Sequence, residues 1–112
     1  MRRLPRGLRV EALFAGQRYV QRVPAARVAP QVPRTVVSNR LASEVADAPG
    51  PKRCSRLPWL GRACGFVAKV AIALPGCEAV QVPAVAIPLP RGADLIIGND
   101  FLKRVRCRKE KR

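Results

Sequence analysis

The feature that most constrains this chain is Leu95-Ile96-Ile97, three large aliphatic residues in a row that stop at Gly98. Two of the three are β-branched, and the run offers no polar side to water, so it predicts a short strand covered on both faces. Gly98 permits a close backbone approach or a positive φ, and Asn99 or Asp100 is suited to cap a helical turn that begins there. The segment Ala93-Asp94-Leu95-Ile96-Ile97-Gly98-Asn99-Asp100-Phe101-Leu102 therefore predicts a buried strand that turns into a short helix.

Other extended segments precede it. Leu8 to Phe14 alternates apolar with charged residues, Ala15-Gly16-Gln17-Arg18 reads as a hairpin turn, and Tyr19 to Val23 returns until Pro24, with Ala25 to Val28 as a resumption. Thr35 to Val37 predicts a short strand. Ser38 or Asn39 then caps a helix whose Leu41, Ala42 and Val45 share one face. Asp47 to Leu60 is rich in proline and cations and reads as a loop, with Trp59 as its large anchor. Phe66, Ala68, Val70, Ile72 and Leu74 alternate along the clearest strand, Pro75-Gly76-Cys77-Glu78 turns the chain, and Ala79 to Ile87 returns. Pro83 and Pro88 push that return strand toward an edge or a bent path.

At 112 residues, 48% of them apolar, the chain is the size of one domain, here residues 1–104, with residues 105–112 as a basic tail. It has no window near the roughly 18 consecutive apolar residues of a membrane-spanning helix. Arg2, Arg3 and Arg6 carry the charge of a secretory leader, but no apolar stretch follows before Arg9 and Glu11, so a cytoplasmic location is expected. The net charge is +15, mostly from arginines spread along the whole chain, with one concentrated run from Lys103 to Arg112. That run makes nucleic acid or an acidic protein a conceivable partner, while dispersed arginines on a solvated surface explain the rest. The one Trp, one Tyr and three Phe do not interleave with the cations along the sequence.

Cys54, Cys64, Cys77 and Cys107 include no Cys-x-x-Cys pair, and there is no histidine, so a zinc site is not expected. Cys54 and Cys64 are spaced to bridge a loop, which an ordinary cytosol would keep reduced and a hyperthermophile would not. Abundant Arg, Val and Pro suit a thermophile, and equally a GC-rich genome. No phosphate-binding glycine loop and no Ser/His/Asp set is present, and no cofactor is called for.

The closing segment Asp94-Leu95-Ile96-Ile97-Gly98-Asn99-Asp100-Phe101-Leu102 resembles the end of the retropepsin-like aspartic peptidases, the family of retroviral proteases and their cellular and prokaryotic relatives. The hairpin from Phe66 to Ile87 and the Thr35-to-Val45 segment are similar to the family in the same order, with Gly61 to Gly65 roughly where its mobile flap lies. The resemblance implies a mainly β fold, a small closed or partly orthogonal β-barrel with one or two short helices. It also implies a homodimer that holds an extended peptide.

Counting back from Arg34-Thr35-Val36-Val37-Ser38, the family's Asp-Thr-Gly-Ala loop falls on Ala29, Pro30, Gln31 and Val32, and none of the four residues matches. The family's chemistry needs two carboxylates that share a proton. Ala29 has nothing to ionise, and no other Asp-Thr-Gly or Asp-Ser-Gly occurs. The expectation is a peptidase-like protein without peptidase activity that retains a dimer cleft or a peptide-binding role. An active aspartic endopeptidase with an unrecognised catalytic loop, and a basic β-barrel that binds nucleic acid, are the alternatives.

Overall fold

The computed structural model describes residues 9–17, 19–46, 50–58, 61–89 and 93–107. Strands β1 (Arg9–Ala15) and β2 (Val20–Val28) form an antiparallel hairpin. The expectation that β2 ends at Pro24 is not met. Val10 pairs with Ala26 and Ala12 with Val23, so Pro24 and Ala25 stand opposite the single residue Glu11. A bulge at this place lets a residue without an N–H sit inside a strand at little cost to the ladder. Leu8, and Arg18 of the turn, lie outside the described residues.

Strand β3 (Val36–Ser38) runs directly into helix α1 (Asn39–Val45). Ser38 is the N-cap, and its hydroxyl accepts from the Leu41 N–H at 3.2 Å. Leu41, Ala42 and Val45 are buried, as their spacing predicts.

The loop expected over Asp47 to Leu60 contains a strand instead. β4 (Lys52–Leu57) pairs antiparallel with the long β5 (Gly61–Ala73) through six register pairs, Cys54 opposite Cys64 among them. Pro51 and Pro58, which suggest a loop, flank this strand without interrupting it. Asp47 and Trp59 lie outside the described residues. β6 (Val80–Ile87) returns along β5. The turn between them is closed by the Cys77 N–H on the Leu74 carbonyl at 3.0 Å, with Pro75 second and Gly76, at φ +76°, third. That is the residue pattern of a type II turn.

β7 (Leu95–Ile97) inserts between β2, to which it is parallel, and β3, to which it is antiparallel. All three of its residues are fully buried. It leads into helix α2 (Asn99–Leu102), whose N-cap is Gly98 and not Asn99 or Asp100, although the Asp100 carboxylate accepts from the first-turn Phe101 N–H at 2.8 Å. The strand order β1-β2-β7-β3-β6-β5 closes on itself through a β1–β5 pairing, and β4 is attached beyond this ring on β5. The molecule is mainly β, and no helix among the described residues is long and apolar enough to cross a membrane.

Two apolar clusters fill the structure, and β5 and β6 serve both. Along β5, Ala63 and Val67 are buried on one side of the strand, then Ala68, Val70 and Ile72 on the other, followed by Leu74 just past its end. β6 switches sides at Ala84 and Val85, the register partners of Ala68 and Val67. The hairpin thus exchanges its inner and outer faces at a single level. The main cluster takes Phe14, Val37, Val70, Ile72, Ile97 and Phe101. The second takes Ala29, Val32, Leu57, Ala63, Val85 and Ile96. Phe66 shares the side of Ala68 and Val70 as expected, but lies above the switch and is 53% exposed.

Candidate functional site

The four residues at the expected position of a catalytic loop form a tight turn. The Val32 N–H donates to the Ala29 carbonyl at 3.0 Å, with Pro30 at the second position and no residue of the turn at positive φ. Proline fixes the φ that this position of a type I turn requires. The turn is bound to the closing segment on both flanks. The Ala29 N–H donates to the Ile97 carbonyl at 2.9 Å, and the Val32 carbonyl accepts from the Asn99 N–H at 2.7 Å. Ala29 through Val32 and Asp94 through Leu102 are therefore brought together.

Gly98 is needed for that closeness and not for its φ of −99°. A Cβ there would lie 2.7 Å from the Val32 carbonyl oxygen and 2.9 Å from the Arg34 carbonyl carbon, inside contact distance with backbone that has nowhere to move.

Behind the turn lies a polar link that sequence reasoning did not single out. Thr35 is fully buried. Its N–H and its hydroxyl both donate to Asp100 Oδ1, at 2.9 and 2.7 Å, while the hydroxyl accepts from the Gly98 N–H at 3.1 Å. Asp100 Oδ1 also accepts from the Phe101 N–H at 2.8 Å. Oδ2 of the same carboxylate is buried and has no hydrogen-bond partner among the described residues. Asp94 is equally structural. Ser38 donates to its Oδ1 at 2.9 Å, and Arg40 reaches both oxygens at 2.8 and 2.9 Å. Both carboxylates are thus engaged by the fold, Asp100 by Thr35 and Phe101, Asp94 by Ser38 and Arg40.

The turn is covered from the other side by the β4–β5 hairpin. Ser55 is buried, accepts from the Arg34 N–H at 3.3 Å and donates to the Arg34 carbonyl at 3.1 Å. Leu57 and Ala63 pack with Ala29 and Val32 in the second cluster. Ala29 is 6% exposed, so its position is an apolar contact under a strand pair. Gln31, Pro33 and Arg34 are the exposed members of the segment. A pocket of about 310 Å³ lies elsewhere, over Leu13, Arg22, Ala73 and Pro75 on the outside of the β1–β5 seam.

The cysteines form two disulfides, Cys54–Cys64 and Cys77–Cys107. The first joins directly paired strands and not the ends of a loop. The second ties the chain after α2 to the β5–β6 turn, where the Glu78 N–H also donates to the Arg106 carbonyl at 2.9 Å. Residues 108–112 of the basic tail lie outside the described residues. Among the described residues, no three of Cys, Asp and Glu converge as a metal site would require. No family model matches the chain, and no curated protein matches it either.

Proposed function

We propose that this chain is a retropepsin-like protein that does not cleave peptides and works as a homodimer with a peptide-holding role. The observation that carries the reading is the environment of Ala29. The turn where the resemblance puts the family's acid is hydrogen-bonded to β7 and α2, yet it presents a methyl group to an apolar cluster. A peptidase of this type needs a pair of carboxylates around one water. The exposed Gln31, Pro33 and Arg34 offer the surface through which two copies would meet about a two-fold axis. β4 pairs only with β5 among the described strands, so its other edge is free to add an extended peptide through backbone hydrogen bonds. The two disulfides suit an oxidising compartment, or a cytosol in which structural disulfides persist, as in hyperthermophiles.

The first test is incubation with an unfolded polypeptide at acid and neutral pH, with and without a pepstatin-like inhibitor. The expected result is no inhibitor-sensitive cleavage; such cleavage would reveal an active enzyme with another acid. The second test is restoration. Replacing Ala29-Pro30-Gln31 by Asp-Thr-Gly is expected to produce inhibitor-sensitive cleavage at acid pH in a dimer by sedimentation. A folded dimeric variant that stays inert would remove the proposed register.

A further inference from the structure

We propose that the outer face of the β4–β5 hairpin binds single-stranded nucleic acid. The proposal does not depend on the family reading, because it rests on the face of the hairpin turned away from the Ala29 turn. Three register pairs lie along that face: Arg56 with Arg62, Cys54 with Cys64, and Lys52 with Phe66. Lys52, Arg56 and Arg62 are exposed, and none has a carboxylate within 4.0 Å among the described residues. Phe66 is 53% exposed because the hairpin exchanges its faces just beyond it, at Val67 and Ala68.

Two guanidiniums directly opposite each other on paired strands repel. Here the neighbouring disulfide holds the strands in register, so the repulsion cannot be relieved by fraying. Such a pair is stabilised by an anion that bridges it, and arginine's planar fork suits phosphate. The next feature along the face is an aromatic ring beside an ammonium group. From the Arg56/Arg62 row to the Lys52/Phe66 row is four residues, about 13 Å at the rise of a β-strand. That is the length of roughly four stacked nucleotides at about 3.4 Å each. A solvent-facing ring beside one cation and about four residues from two more favours a strand whose bases are unpaired and free to stack, over a duplex or an acidic peptide. The aromatics look isolated from the cations in the sequence; pairing of β4 with β5 puts Phe66 beside Lys52.

The test is fluorescence anisotropy with a short labelled oligodeoxythymidine at low salt, with each variant's fold checked by circular dichroism. The double variant Arg56→Glu, Arg62→Glu is expected to bind at least tenfold more weakly than wild type. The control is Arg9→Glu, Arg27→Glu, which makes the same change in net charge at the other opposed arginine pair and should lose far less. Phe66→Leu keeps apolar bulk and removes the stacking face, and is expected to weaken binding about tenfold. Equal losses in the two charge-reversed variants, or unchanged binding by Phe66→Leu, would overturn the proposal. So would competition by duplex DNA or polyglutamate as effective as that by unlabelled single strand.

Discussion

Ala29 determines what the turn between β2 and β3 can do, and substituting it separates packing from chemistry. Ala29→Asp places a carboxyl among Val32, Leu57 and Ala63. Burial without a partner disfavours the charged form and raises the pKa of the new carboxyl above its value in the unfolded chain, about 3.9. The folded state then binds more protons than the unfolded one over that interval. The charge-dependent part of the variant's deficit is therefore complete above the raised pKa and disappears below about pH 4, leaving the pH-independent cost of a larger polar group. A rise of two units corresponds to a loss of about 2.7 kcal/mol at pH 7. Chemical denaturation of wild type and variant at pH 7 and pH 4 measures it; a deficit independent of pH would mean that the site is open to water. Thr35 gives the complementary case. Thr35→Val preserves shape but leaves the Gly98 N–H without its acceptor and removes one donor from Asp100. A loss of about 2 kcal/mol is expected. A double-mutant cycle with Asp100→Asn should show coupling, whereas additive effects would mean that the hydroxyl acts only through packing.

At the level of elements, the sequence makes some parts legible and hides others for physical reasons. Leu95 to Ile97 announces itself because a strand buried on both faces needs an unbroken apolar run, and Leu41, Ala42 and Val45 because a helix repeats its buried face every turn. β4 is hidden because its six residues include three cations and only one large buried side chain, Leu57. Edge strands can be this polar, since one side of their ladder is unpaired. The symmetric spacing of Cys54 and Cys64, each in register with the other across β4 and β5, is the signal that could have revealed it. The candidate site is half legible. Counting back from Thr35 locates the turn at Ala29, but the covering of that turn by Ser55 and Leu57 comes from long-range packing that no local pattern encodes. The segment after α2 depends on a covalent link in a similar way. Cys77–Cys107 closes a separation of 30 residues. By chain entropy, its removal as Cys77→Ser, Cys107→Ser is expected to cost about 3–4 kcal/mol. Hydrogen exchange should then show residues 103–107 opening before β5 and β6; a simultaneous loss of protection in all three would mean that the link supports the entire ring.

For the molecule as a whole, the dominant quantity is charge. A net +15 on 112 residues is self-repulsion carried by the folded state. Three of the seven carboxylates are already committed: Glu11 pairs with Arg22, Asp94 with Arg40, and Asp100 is turned inward to Thr35. Strand pairing also places Arg9 opposite Arg27 and Arg56 opposite Arg62, which adds local repulsion at both pairs. Unfolding lets these groups separate, so low salt should destabilise the fold. Screening over a Debye length of about 10 Å at 0.1 M should restore much of that stability. The expectation is a melting temperature that rises by several degrees between about 10 mM and 150 mM sodium chloride and then flattens, because the Debye length falls from about 30 Å to about 8 Å over that range. Sodium sulfate at equal ionic strength should act more strongly if a bridging anion occupies the Arg56/Arg62 pair, and that excess should vanish in Arg56→Gln. A melting temperature that is flat or falls with salt would mean that the arginines are neutralised within the fold, and the repulsion argument at both opposed pairs would fail with it.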